Sequence, residues 1–280
     1  MLSEPMQSDT IDVLVPTCER PAALAMTLTA LAAQTFAQLR IVISDQSERL
    51  NPFDTGEVRA VLRLLSAQGR PVDTLRHLPR RGMAEQRAFL LSRAEAPLVL
   101  FLDDDVLLEP DLVERLHRSI RLLGCGFVGS AVHGLSYLSD IRPEQETIEF
   151  WSGPVAPERV TAHGAAWSRH HLHRAANLFH VQARLGLQRD ATRHYRVAWV
   201  GGCVLFDTGK LRAAGGFAFW RELPKAHGGE DALAQLRVME RYGGCAIIPS
   251  GAYHMELPTT MPAPPVNAAK VLLGGMPIPG

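Results

Sequence analysis

Short apolar runs and helical stripes alternate along the first half of the chain. Residues 11–15, IDVLV, and 39–43, LRIVI, are mostly apolar, the pattern of strands buried on both faces. The first stops at Pro16 and the second at Asp45. Between them Leu24, Leu28 and Leu31 form a helical stripe behind Pro21, a residue suited to a first helical turn. Val61, Leu62 and Leu65 predict a helix over 57–68, residues 74–78 a short strand, and 83–94 another helix. Leu98 to Leu102 is a further buried strand, and Leu112, Leu116 and Ile120 mark a helix beginning after Pro110. Strand and helix alternating at this spacing predict an α/β, Rossmann-like fold with a mostly parallel central sheet and helices on both faces.

The second half is less regular. Residues 133–196 are rich in His, Arg, Trp and Pro and have weak periodicity. His170, His171 and His173 lie close together but lack a carboxylate or cysteine at ligand spacing, so an exposed polar helix or loop is the reading there. Regular signals return with a strand over 197–206, broken by Gly201 and Gly202, and a helix over 207–213. Leu233, Leu236 and Met239 predict a helix over 230–241, and Ile247 and Ile248 a short strand. From Pro258 the tail carries Pro262, Pro264, Pro265, Pro277 and Pro279 and reads as an irregular strap or partly ordered end. There is no internal repeat, and 280 residues are read as one domain.

Composition narrows the function classes. The 29 basic and 29 acidic residues cancel, which argues against a global nucleic-acid or anionic-membrane footprint while leaving room for a local basic pocket. Lysine occurs only at Lys210, Lys225 and Lys270, an arginine preference that codon bias explains as well as function does. Cys18, Cys125, Cys203 and Cys245 are far apart with no CxxC, so buried free thiols in a reducing compartment are expected. The start, MLSEPMQSDT, has no basic residue before an apolar core and does not read as a signal peptide. No stretch reaches the roughly 18 to 20 apolar residues of a membrane-spanning helix. A cytoplasmic protein is expected, with peripheral membrane contact still compatible.

The chemistry concentrates where the fourth apolar run ends. Leu98 to Leu102 delivers Asp103, Asp104 and Asp105 to the edge where open α/β sheets bind ligands. Three adjacent carboxylates repel one another and resist burial, so folding alone does not call for them. A divalent cation removes the repulsion. In an extended segment side chains i and i+2 share a face, so Asp103 and Asp105 would meet one ion while Asp104 points away. Oxygen ligands suit Mg²⁺ or Mn²⁺, ions that commonly also hold substrate phosphates. The alternative is a solvated acidic strand end capping the next helix.

Six segments then fall into a recognisable order: VLVPTCERP, IVISDQS, RRGMAEQR, FLDDDV, GGED and a late His254. Together they resemble family 2 glycosyltransferases of the GT-A fold, over residues 11–132 and 197–256. The resemblance implies a nucleotide-sugar-binding half at 11–132, an acceptor-binding half at 133–256 and a Pro-rich tail at 257–280. It implies that Pro16, Thr17, Arg20, Asp45, Gly82, Arg87, Asp103 and Asp104 bind the nucleotide-sugar, with Asp45 on the base. It places Asp105, Asp103 and His254 at a divalent metal, Asp231 as general base with Glu230 beside it, and Trp199, Gly201 and Gly202 at the acceptor. Ala88 stands where many relatives have Asn, so the third segment matches incompletely.

Each residue also has a plainer reading. Thr17 would cap a helix, Arg87 would sit on a helix surface, Glu230 and Asp231 would form an ordinary acidic first turn, His254 would be a surface or core histidine, and Trp199 a buried structural residue. The implied function is a metal-dependent, inverting transfer from a nucleotide-diphosphate sugar, UDP by default. The acceptor hydroxyl or amine would belong to a glycan, lipid-linked saccharide, small molecule or protein. FLDDDV also satisfies the pattern of haloacid-dehalogenase-like phosphatases, with Asp103 as nucleophile. A nucleotidyltransferase and a non-catalytic sugar-nucleotide-binding module complete the alternatives.

Overall fold

The computed structural model describes residues 9–162, 164–258 and 265–274. The first half runs β1 (Ile11–Thr17), α1 (Pro21–Ala32), β2 (Leu39–Asp45), α2 (Gly56–Ala67), β3 (Val72–Arg76), α3 (Met83–Ser92), β4 (Leu98–Leu102), β5 (Val106–Leu108) and α4 (Leu112–Leu123). Then come β6 (Phe127–Gly129), β7 (Val132–His133), α5 (Asn177–Arg184), β8 (Arg193–Tyr195), β9 (Cys203–Asp207), α6 (Thr208–Ala213), α7 (Glu230–Tyr242), β10 (Gly244–Ile248), β11 (Ala252–His254) and α8 (Ala268–Gly274).

Eight strands form the central sheet in the order β3-β2-β1-β4-β9-β6-β10-β8. β9 is antiparallel to both β4 and β6, and β8 is antiparallel to β10, so the sheet is mixed but largely parallel. A small second sheet, β5-β11-β7, stands beside it.

Alternation along the strands explains the layering. Ile11, Val13 and Val15 of β1 pack into one buried cluster with Leu24, Leu28 and Leu31 of α1, Leu65 of α2 and Leu116 of α4. Leu14, between them, joins the opposite cluster with Leu90 of α3, Phe206 of β9 and Leu233 and Leu236 of α7. Successive strand side chains face opposite ways, so β1, like β4, feeds two cores and is apolar on both faces over most of its length. Pro21 occupies the first turn of α1 as expected, and α4 ends at Gly124, which takes the left-handed conformation (φ 58°) that closes a helix.

Three differences from the sequence reading matter. The strand expected over 197–206 begins only at Cys203, because Gly202 adopts φ 75° and breaks the extended path. β6 went unpredicted, being three residues long and without a legible period. Segment 133–196 is not one polar loop. It contains a 3₁₀ helix over Ala165–His173, the helix α5 and the edge strand β8, and buries Leu172, Leu178, Val181 and Tyr195 in the second core. Residues 265–274 of the tail dock on the body, with Val266, Ala268 and Ala269 buried. Pro262, Pro264, Pro277 and Pro279 lie outside the described residues.

Candidate active site

The C-terminal ends of β1, β2 and β4 open on one side of the sheet. There Asp103, Asp104 and Asp105 line a cavity of about 210 Å³ with Pro16, Thr17, Arg20 and His254. The acids do not continue β4. The chain turns at Asp104 and Asp105 before β5, so the shared face expected for Asp103 and Asp105 in an extended segment is not formed. Instead the three carboxylates separate, each toward its own partner.

Asp103 accepts from Arg87 Nη2 at 2.8 Å. Asp104 is buried and accepts from the Thr17 hydroxyl at 2.6 Å, which gives Thr17 a role other than capping α1. Asp105 Oδ2 receives Arg20 Nη1 at 2.6 Å, and the same nitrogen lies 3.5 Å from Asp104 Oδ1. His254 Nε2 faces Asp105 Oδ2 at 3.7 Å. Burial, helped by Asp105, pushes the Asp104 carboxyl up to about 7 against the Thr17 bond and Arg20.

Arg87 connects this cavity to the acids at the start of α7. It is buried, and its Nε donates to Glu230 Oε1 at 3.2 Å while Nη2 holds Asp103. Burial works against its charge, but Asp103, Glu230 and Asp231 outweigh that and keep the guanidinium firmly charged. Glu230 is thereby committed to Arg87. Among the described residues no cation pairs with Asp231 in the same way. Burial, and then the neighbouring Glu230, raises its carboxyl to about 7, with Arg87 opposing.

Backbone features set these acids in place. Gly229 precedes α7 with φ 73°, and a Cβ there would lie 2.9 Å from the Asn267 side chain. Gly228 N donates to Val266 O at 2.9 Å and Gly228 O accepts from Ala268 N at 2.8 Å, so the tail clamps the turn that delivers Glu230 and Asp231.

Across the sequence the match to the glycosyl transferase family 2 model covers residues 12–183, more than half of the chain. The chain belongs to glycosyl transferase family 2. The phosphatase, nucleotidyltransferase and binding-module alternatives are set aside. Among solved structures, S. aureus TarS is similar in fold, with TM-score 0.54, 16% identity, and coverage of 88% of this chain and 36% of that one. TarS 1-349 in complex with UDP-GlcNAc gives TM-score 0.54 at 13% identity, covering 89% of this chain and 59% of that one. The family 2 chain thus spans about a third to three-fifths of the TarS chains it matches. No curated protein sequence matches it. Among the described residues no helix is long and apolar enough to cross a membrane.

The other expected site residues of this family 2 transferase take distinct positions. Asp45 ends β2 fully buried, accepting from Ser47 N at 3.0 Å and pairing with Arg76 Nε at 3.0 Å, so its carboxylate faces protein rather than the cavity. Gly202 lies beside the acids, its carbonyl accepting from Asp103 N at 2.9 Å. Gly201 is exposed with open space around it. Trp199 stacks on His170 at 5.0 Å and leans on Trp167 at 4.8 Å, forming an aromatic cluster with the 3₁₀ helix of the middle segment.

Gly82 starts α3 with φ 106°, and a Cβ there would meet Lys225 O at 2.6 Å and the His227 ring at 2.8 Å. Gly82→Ala should therefore displace the loop leading to Glu230 and cost about 1–3 kcal/mol. The check is a denaturant titration; an unchanged midpoint would show that this contact does not constrain the loop.

Several positioning residues were missed from sequence. His227 Nε2 accepts the Ala84 amide at 3.1 Å while Nδ1 bonds Pro224 O at 2.7 Å, which fixes a neutral ring between α3 and the loop. Gln86 Nε2 ties Thr17 O (3.1 Å) to Ser44 O (2.6 Å), joining the ends of β1 and β2. Gln235, one turn beyond Asp231, grips both backbone groups of Val200 at 2.8 and 2.7 Å. The readable signal was the succession of polar residues 85–87 on a helix that has to be buried, and the i+4 spacing of Asp231 and Gln235.

The donor set suits a hard divalent cation. Carboxylate oxygens of Asp103, Asp104 and Asp105 share one small cavity with a histidine, and such ions commonly take one or two protein ligands plus substrate phosphates. Among the described residues no three His, Cys, Asp or Glu side chains converge into a complete metal cage. An ion here would draw its remaining ligands from water and substrate.

Proposed function

We propose that this family 2 enzyme is a metal-dependent, inverting glycosyltransferase that uses a nucleotide-diphosphate sugar, with UDP as the default nucleotide. The observation that carries the reading is the Arg87 bridge. It joins Asp103, on the donor side, to Glu230, next to the base candidate, within one buried ion network. In this reading residues 11–132 hold the donor and residues 133–256 form the acceptor side of the same domain.

Asp105 and His254, with Asp103 and Asp104 nearby, would hold Mn²⁺ or Mg²⁺. The cation, when bound, supplies positive charge to the departing diphosphate. Asp231 takes the proton from the acceptor hydroxyl or amine as that atom attacks the anomeric carbon. Its carboxyl, raised to about 7, is a base matched to that task near neutral pH. Glu230, tied to Arg87, is not free to act as a second nucleophile, which favours a single displacement with inversion. Trp199 and its aromatic neighbours, with Gly201 and Gly202, offer apolar and backbone surface to the acceptor. Asp45 would set the position of the base through Arg76 and Ser47, its own carboxylate being buried.

Calorimetric titration of UDP, GDP, dTDP and CDP with Mn²⁺ and then with EDTA tests the donor reading. Selective, Mn²⁺-dependent binding of one nucleotide is expected, abolished in Asp105→Ala. Equal affinity with Mn²⁺ and EDTA, or in Asp105→Ala, would remove the metal from the reading.

A further inference from the structure

Arg20 stands at the centre of a conflict among the cavity groups. Its Nη1 lies 2.6 Å from Asp105 Oδ2, and that same oxygen faces His254 Nε2 at 3.7 Å. This oxygen, the one that faces His254 Nε2, is where a divalent cation held between Asp105 and His254 would sit. Two cations cannot both lie within contact distance of it without strong repulsion in a partly desolvated cavity.

The other end of the guanidinium points to a second linkage. Arg20 Nη2 donates to the Pro258 carbonyl, so one side chain joins the acidic turn to the segment after β11. His254 is set in a related way. Its Nδ1 accepts the Glu256 amide at 2.7 Å, a bond within segment 254–258. The guanidinium that reaches Pro258 is therefore also the group that would compete with a cation on Asp105.

We propose that Arg20 is an exchange residue, whose guanidinium serves two anions in turn, Asp105 and the diphosphate of the donor, and that the divalent cation drives the exchange. This rests on the metal-dependent reading above. The cation displaces Arg20 from Asp105. The released fork is suited to two phosphate oxygens, a geometry lysine does not reproduce. Cation and nucleotide then bind cooperatively for a reason beyond their direct contact. The first ligand pays to remove Arg20, and the second gives it a new partner. Because coupling is reciprocal, each raises the affinity of the other by the same factor. Arg20 also holds the Pro258 carbonyl, so donor loading changes how residue 258 is held near the cavity.

The test is Mn²⁺ affinity with no nucleotide present, followed through the paramagnetic resonance signal of free Mn²⁺, for wild type, Arg20→Ala and Arg20→Gln. Both variants should bind Mn²⁺ at least about fivefold more tightly than wild type, because the competing charge is gone. UDP with saturating Mn²⁺ should bind them at least about tenfold more weakly, so the coupling factor falls. Arg20→Gln keeps a donor for the Pro258 carbonyl, and its thermal midpoint verifies folding. Variants that bind Mn²⁺ no better than wild type, while wild type does bind it, would overturn the exchange and leave the metal reading standing. Failure of wild type and variants alike to bind Mn²⁺, with and without UDP, would overturn both.

Discussion

Asp231→Asn should leave donor binding within about threefold of wild type while lowering transfer by roughly 10²–10⁴, the range removed with a general base. The amide keeps the shape of the side chain but cannot accept the acceptor proton. In the wild type, transfer should rise with pH and level off above about 7, since the base works only when ionised and its carboxyl is raised to about 7. Stability should move the other way. A carboxyl with a folded-state value above its ordinary 3.8 favours the fold while protonated and loses that contribution as pH rises toward about 7. Asp231→Asn has no charge to bury, so its stability relative to wild type should improve across that window. Rate–pH profiles and thermal midpoints measured at several pH values check both limbs. Normal transfer by Asp231→Asn would reject it as the base.

The second large effect is expected at Arg87. Arg87→Met removes the one cation joining Asp103 and Glu230 and leaves both carboxylates without it beside Asp231. Breaking a buried ion pair from one side costs about 3–5 kcal/mol, because the stranded charges remain desolvated. Asp103 is partly exposed and Glu230 nearly buried, so most of the penalty should fall on Glu230. Adding Glu230→Gln to Arg87→Met should then recover part of the loss, a coupling that a double-mutant cycle by chemical denaturation reads directly. Additive effects would mean the bridge contributes little to the fold. Nucleotide binding should weaken in Arg87→Met as well, since Asp103 would no longer be held at the cavity wall.

Legibility of the fold from sequence followed burial. β1, β2 and β4 are covered on both faces, so nearly every residue in them is apolar and the runs stand out. The helices that cover them announce themselves through Leu24, Leu28 and Leu31, or Leu233, Leu236 and Met239. β6 and β7 were invisible because two or three residues carry no period. The middle segment was illegible because its buried residues, such as Leu172 and Tyr195, are spread among histidines and arginines that meet partners only in three dimensions.

The candidate site was legible as a set of residues rather than as a geometry. The acidic triplet and GGED signalled chemistry because clustered carboxylates are costly without a purpose. The sequence could not tell that the triplet lies in a turn, since that depends on β5 pairing with β11 nearly 150 residues later. Nor could it place Arg87 between Asp103 and Glu230, as their separations of 16 and 143 positions make the bridge a product of sheet order.

The pairing of Gly228 with Val266 and Ala268 has a consequence for the order in which the enzyme comes into being. Residues 11–132 contain β1, β2, β3 and β4, which neighbour one another in the sheet. The turn that presents Glu230 and Asp231 waits for a partner made almost forty residues afterwards. The acidic turn at Asp104 and Asp105 waits as well, since β5 behind it pairs with β11 and His254 lines the same cavity. A chain terminated before Ala252 would therefore lack the pairings that set either group of acids.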